Sequence, residues 1–217
     1  MYFTSLLKKI SRISLITLGM ALLFGPISEC AAQAEWQRTV QVIVPVEDGK
    51  TTRALTDSVV AMAEAQDAQI RRSPKSDTTA ALETVKASLS NEGLALTSAS
   101  HVFITYRFTL KNSRLKRNIR DLHFIYRPSA EQGKDVPILY VDLTENQFYK
   151  DLLIEQGTPS SVNEAVYHPF KQQIAFHGLL ETATVVKVGN EIIRDPEQAD
   201  AEKEQIMATI RRLTYNR

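Results

Sequence analysis

A run of basic side chains in the centre of this 217-residue chain is its strongest local concentration of charge. Five cations fall within ten residues, and no acidic residue interrupts them before Asp121. They are Lys111, Arg114, Lys116, Arg117 and Arg120. We interpret the segment as an exposed basic loop that contacts either an acidic protein partner or an anion, such as a lipid head group or a cell-wall polymer. The structural alternative is a solvated hairpin tip whose charge protects a sheet edge.

The segment Tyr167-His168-Pro169-Phe170 is a second candidate site, because it combines two aromatic rings, an imidazole and a rigid turn. Aromatic side chains concentrate at the centres of interfaces and in pockets. Tyr167, His168 and Phe170 are therefore predicted to form a pocket wall or an anchor for a partner. The alternative is a loop whose rings attach it to the core.

Metal and cofactor chemistry receive no support from the sequence. None of the four histidines, His101, His123, His168 and His177, lies three or four residues from another, which is the spacing that brings two imidazoles onto one helical turn. No G-x-S-x-G, G-x-G-x-x-G or Walker pattern occurs. We therefore predict no metal and no cofactor, and we expect a non-catalytic protein, with hydrolysis left open.

The first 34 residues have the features of an export signal. A basic start is followed by an apolar stretch over residues 13–27, and Ala32-Gln33-Ala34 has the small-x-small pattern that a signal peptidase accepts. The sequence thus predicts a signal peptide over residues 1–34, cleavage after Ala34, and a mature domain over residues 35–217.

The sequence leaves two alternatives to cleavage. An uncleaved anchor is disfavoured because the apolar run spans about 15 residues, whereas crossing a membrane takes about 20. Lipidation of Cys30 is disfavoured because Glu29 precedes it, and a lipobox has a small residue there. A periplasmic or secreted location is therefore expected.

The mature chain is nearly neutral. Removing the leader takes away three of the 26 basic residues and one of the 25 acidic residues, which leaves 23 against 24, a net charge of −1. Nothing in that balance attracts the chain to nucleic acid. Cys30 is the only cysteine, so the mature protein forms neither a disulfide nor a thiolate metal site.

The mature sequence begins with a strand and two helices. Alternating apolar residues predict a strand over residues 36–46, and apolar residues at helical spacing predict a helix over residues 52–71. A second helix is predicted from an N-cap at Asp77 to Asn91. These elements are the first that could position a site.

Strand patterns dominate the centre of the chain. Alternation predicts strands over residues 101–110, 122–127 and 138–143, and their short connections favour an antiparallel meander. Gly189-Asn190 predicts a tight hairpin, and Asp195-Pro196 predicts the start of a final helix.

One further helix follows the meander. Thr144 and Gln147 have the spacing of a capping box, which opens a helix that carries the apolar residues Phe148, Leu152 and Ile154. Because strands and helices come in blocks, we predict an α+β fold with a mostly antiparallel sheet and helices packed on one face.

The function expected from these observations is that of an exported, non-catalytic accessory or assembly protein that acts through contacts with an envelope protein partner. One alternative is a small-molecule-binding protein or hydrolase with a pocket on the sheet, lined by His101, His123 or Tyr126. Another is a peripheral binder of anionic lipid or cell-wall polymer through the basic loop.

Overall fold

A six-stranded antiparallel sheet is the framework of the computed structural model. The structure describes residues 36–66, 69–76, 78–111, 114–129, 134–159, 166–179 and 181–215. The predicted leader and the predicted N-cap Asp77 lie outside these residues.

The strands and helices alternate in blocks along the chain. The strands are β1 (Trp36–Pro45), β2 (Gln69–Ile70), β3 (Ala80–Ala81), β4 (His101–Lys111), β5 (Arg114–Tyr126), β6 (Val136–Asp142), β7 (Gly157–Pro159), β8 (Tyr167–Pro169), β9 (Thr184–Val188) and β10 (Glu191–Ile192). The helices are α1 (Thr51–Ala65), α2 (Leu82–Asn91), α3 (Gln147–Glu155), α4 (Phe170–Gln173) and α5 (Pro196–Tyr215). Two single 3₁₀ turns cover Leu96–Ser98 and Phe176–Gly178.

The main sheet has the strand order β10-β9-β1-β4-β5-β6, and every pairing in it is antiparallel. The predicted meander is confirmed as β4-β5-β6. Strand β1 pairs with β4 on one side and with β9 on the other. The β2-β3 and β7-β8 pairs form two small sheets.

One face of the main sheet carries the core. Alternate residues of β1 lie opposite alternate residues of β4, as in the pair Val42 and Ile104, and both are buried. Leu55 of α1, Leu152 of α3 and Ile206 of α5 belong to the same apolar cluster. The α+β class, with helices on one face of a mostly antiparallel sheet, is confirmed.

The opposite face is half-buried and mixed in character. Cross-strand register brings Phe103, His123 and Tyr140 into one row across β4, β5 and β6. Beside that row, the side-chain amide of Gln41 donates a hydrogen bond to the Thr105 hydroxyl (3.1 Å).

The segment after α1 fastens the edge strand β6. The Tyr140 backbone N–H donates to the Arg71 carbonyl (2.7 Å). The Arg72 guanidinium donates to the Pro137 carbonyl (2.9 Å) and pairs with Glu92 (2.7 Å). The edge strand is thereby bridged at Tyr140 and held at Pro137.

The first helix is shorter than predicted. It ends at Ala65 instead of residue 71 because its apolar stripe stops at Ala63. Ile70, which helical spacing would have added to that stripe, is buried in β2 opposite Ala80.

The C-terminal elements agree with their sequence signals. Gly189 has φ of +59° in the β9-β10 turn, a conformation that glycine adopts without strain. The Asp195 carboxylate accepts a hydrogen bond from the Glu197 N–H (3.1 Å) at the start of α5. Within the ranges described, no helix combines the length and the apolar character needed to cross a membrane.

Candidate functional site

A pocket of about 510 Å³ opens on the helical side of the sheet, between β4, β5, α3 and residues 171–177. We call it the α3 pocket. Its volume falls within the range of about 300–1,000 Å³ that is usual for small-molecule sites.

The floor of the α3 pocket is apolar and tightly packed. Tyr106 and Phe176 meet edge to face at 5.3 Å between ring centroids. Phe108 also meets Phe176 edge to face, with 5.5 Å between their centroids. The Tyr106 hydroxyl donates to the Ile174 carbonyl (2.6 Å), and burial raises the pKa of this hydroxyl. The phenol is therefore neutral, with its only proton already engaged. The complete floor consists of Tyr106, Ile119, Leu143, Leu153, Ala175 and Phe176.

Helix α3 forms one wall, and its amphipathic pattern decides which side chains reach the pocket. The helix begins after Asn146, whose side-chain oxygen accepts from the Phe148 N–H (3.0 Å). Gln147, Lys150 and Ile154 follow at spacings of three and four, so they share the face that lines the pocket.

The predicted capping box is wrong, and of the three apolar residues named for this helix from the sequence only Leu152 is buried. Thr144 donates from its hydroxyl to Asp142 (2.6 Å) instead of capping the helix. The helix buries Tyr149, Leu152 and Leu153, whereas Phe148 is 57 % exposed and Ile154 is 50 % exposed. The buried stripe of Tyr149, Leu152 and Leu153 also has spacings of three and four in the sequence, so spacing alone does not select between the two stripes.

The opposite wall is the irregular chain from α4 to the second 3₁₀ turn. Lys171 and His177 line the pocket there, and Ala175 of the same segment contributes to the floor. Gln173 holds this wall in place, because its side-chain oxygen accepts hydrogen bonds from the hydroxyls of Thr51 (2.6 Å) and Thr158 (2.9 Å). The wall is thereby tied to α1 and to β7.

The rim of the α3 pocket is positively charged. Arg117 from β5, Lys150 from α3 and Lys171 from α4 line it, and we call these three the rim cations. None of them forms an ion pair with a carboxylate of the described chain. No Asp or Glu stands among the described lining residues, so the pocket has a positive potential that favours an anionic group.

The basic segment predicted from sequence is a strand and not a loop. Residues Arg114 to Arg120 belong to β5, and the hairpin extends β4 and β5 beyond the core. Alternation was hidden because polar side chains occupy both sides where a hairpin protrudes into solvent. Arg117 lies opposite Phe108 on the core face, whereas Lys116 lies on the other face.

Only Arg117 of the five predicted cations therefore lines the α3 pocket. Lys111, Arg114, Lys116 and Arg120 are exposed along the hairpin. The Arg120 guanidinium approaches the Asp121 carboxylate at 3.9 Å.

The aromatic segment lies close to the α3 pocket without lining it. Phe170 is 1 % exposed and packs in the core. Tyr167 is 51 % exposed, and His168 is exposed beside it. The carbonyl of His168 accepts a hydrogen bond from the side-chain amide of Gln173, which connects this segment to the pocket wall.

The residues expected to line a pocket on the sheet lie elsewhere. His101 and His123 are on the half-buried face, and Tyr126 packs at the edge of the core. His177 is the one described histidine that lines the α3 pocket. Over the described ranges, no three His, Cys, Asp or Glu side chains are grouped so that they could hold a metal ion.

Sequence reasoning missed Lys150 and Lys171, which are single lysines in otherwise ordinary segments. For Lys150 the one local signal is its helical spacing from Gln147 and Ile154, which line the same pocket. Lys171 has no such signal. No protein-family model matches the chain, and no curated protein is significantly similar to it.

Proposed function

We propose that this protein is an exported, non-catalytic binding protein whose α3 pocket takes a small anionic molecule. The observation that carries the proposal is the combination of three rim cations with an apolar floor in one pocket. An anion bound there gains charge-assisted hydrogen bonds.

The setting outside the cytoplasm rests on the leader, with its basic start, apolar stretch and Ala32-Gln33-Ala34 site. A binding role suits the described lining, which combines cationic and polar side chains with an apolar floor and includes no carboxylate among the described residues. We still propose the accessory role expected from the sequence, and we add to it the binding of a small anionic ligand.

Charge removal at the rim tests this proposal. The probe is 8-anilinonaphthalene-1-sulfonate, an aromatic anion whose fluorescence rises in apolar sites, titrated at low ionic strength. The double variant Lys150→Gln, Lys171→Gln is expected to bind it about tenfold more weakly, because exposed charge interactions contribute roughly 0.2–1 kcal/mol each.

The matched control is Lys116→Gln, Lys134→Gln, which removes the same charge from exposed positions outside the pocket. Wild-type affinity is expected in this control. Equal weakening in both double variants would mean that the probe follows net charge alone, and the proposed site would be rejected. Thermal unfolding of all three proteins checks that the substitutions leave the fold intact.

We further propose that the tip of the β4-β5 hairpin contacts an acidic envelope protein. Lys111, Arg114 and Lys116 are exposed at this tip, and none of them forms an ion pair with a described carboxylate. Clustered cations on a projecting hairpin attract a complementary acidic surface and speed its encounter.

Crosslinking in intact cells of the native host tests the hairpin contact. The triple variant Lys111→Gln, Arg114→Gln, Lys116→Gln is expected to lose the crosslinked species that wild type gives. A control triple variant with glutamine at the exposed positions Lys50, Lys75 and Lys134 is expected to keep the crosslinked species. The recovered protein is expected to begin at Glu35. Recovery of the wild-type protein without a crosslinked partner would contradict the hairpin contact. Recovery of a chain that still begins at Met1 would contradict export.

A further inference from the structure

We infer that the ligand of the α3 pocket is a single-chain amphiphile, with an anionic head at the rim cations and an apolar tail on the floor. This inference rests on the proposed function and adds the chemical class of the ligand. It follows from how polarity is distributed with depth in the pocket.

The charged side chains lie nearer to solvent than most of the apolar lining, with Ile154 at 50 % exposure as the exception. Tyr106, Leu143, Leu153 and Phe176 of the floor are buried. Arg117 and Lys171 are exposed, and Lys150 is half-buried. Charge therefore meets the ligand at the solvent boundary, while the interior offers an apolar surface.

The floor has no free hydrogen-bond donor for a polar ligand. Its single polar side-chain group, the Tyr106 hydroxyl, already donates to the Ile174 carbonyl (2.6 Å). A sugar or nucleotide body placed there would lose its hydrogen bonds to water without replacement, which is unfavourable. A hydrocarbon chain has no hydrogen bonds to water to lose, and burying its apolar surface favours binding.

The rim offers cationic groups to a head group from more than one side. The three rim cations come from three separate elements, β5, α3 and α4, that border the same opening. A carboxylate or a phosphate accepts several charge-assisted hydrogen bonds at once. At about 510 Å³ the pocket suits one molecule of drug-like size, so a single-chain acid fits better than a two-chain phospholipid.

Isothermal titration with a chain-length series tests the inference on the intact mature protein. The probes are hexanoate, octanoate and decanoate below their micelle concentrations, with decyl phosphate as a second head group and decanol as the uncharged analogue. Each added methylene that the floor buries is expected to tighten binding by up to about fourfold. Decanol is expected to bind about tenfold more weakly than decanoate.

Two variants separate the head from the tail. Lys171→Gln is expected to weaken all three acids by the same factor, because it removes a head-group contact. Ala175→Leu is expected to weaken decanoate more than hexanoate, because it narrows the floor. Binding of decanoate or of decyl phosphate supports the inference and identifies the preferred head.

Two results would overturn the inference, and they differ in what they mean for the proposed function. If citrate and hexanoate bind as tightly as decanoate and remain sensitive to Lys171→Gln, the pocket is an anion site and only the amphiphile assignment fails. If none of these acids binds and the sulfonate probe ignores the rim substitutions, both the inference and the proposed function fail.

Discussion

Phe108→Ala is expected to lower the free energy of unfolding by about 3–5 kcal/mol, the usual range for removing a buried phenylalanine. The Phe108 side chain is fully buried at 0 % exposure. Its ring stacks on Tyr106 (6.3 Å between centroids) and meets Phe176 edge to face (5.5 Å). The loss amounts to a large fraction of the roughly 5–15 kcal/mol by which domains are stable. Urea unfolding followed by circular dichroism measures it.

The matched control for this substitution is Phe148→Ala on helix α3. Phe148 is 57 % exposed, so the same chemical change is expected to alter stability by about 0.5 kcal/mol or less. Equal losses in the two variants would contradict the described packing of Phe108.

His123 is expected to make the protein less stable as the pH falls below neutrality. Its ring stacks on Phe103 (5.8 Å) and lies edge to face with Tyr140 (6.1 Å). Burial lowers the pKa of His123 from 6.5 to about 4, against smaller opposing contributions from the Arg72 backbone and the Asp135 carboxylate. Its Nε2 atom is buried and has no hydrogen-bond partner among the described residues.

The sign of the pH dependence follows from which state binds the proton. Above pH 6.5 the imidazole is neutral in both states. Below that pH the unfolded chain takes up a proton, whereas the buried ring stays neutral until about pH 4. Proton uptake therefore lowers the free energy of the unfolded state relative to the fold. The cost between pH 7.5 and pH 4.5 is about 2–3 kcal/mol.

The measurement compares urea unfolding of wild type and His123→Phe at several pH values between 7.5 and 4.5. The difference in stability between the two proteins is expected to grow in favour of the variant as the pH falls. Burial also raises the pKa of Asp121, which acts in the opposite direction, but Asp121 is present in both proteins and cancels in the comparison. The control is His168→Phe, which replaces an exposed imidazole. A difference that stays constant over this range would contradict the buried neutral state of His123.

Local signals predicted the elements whose two faces differ. Strand β4 alternates because one side contacts the core and the other does not. The turn at Gly189 and the cap at Asp195 were recognisable because each depends on residues within a few positions. These features agree with the structure.

Sequence predictions of secondary structure were wrong where an apolar residue fitted the spacing of a neighbouring helix, or where both faces of a strand meet solvent. The first helix was extended to residue 71 because Ile70 has helical spacing from its stripe, although β3 supplies its actual partner. The first part of β5, residues 114–120, is predicted as a basic loop because this exposed end of the strand has no alternation of apolar residues, whereas the second part is predicted as a strand. In both cases the deciding contact lies elsewhere in the chain.

The sequence by itself determined the α+β class, the central meander, the C-terminal hairpin and the final helix, since periodicity records which side of an element faces the core. Only the tertiary structure decided that β1 lies between β4 and β9, and that Tyr106, Arg117, Lys150 and Lys171 border one pocket. These residues belong to separate elements, so no local pattern could group them. Their proximity results from strand pairing and from the packing of helices on one face of the sheet.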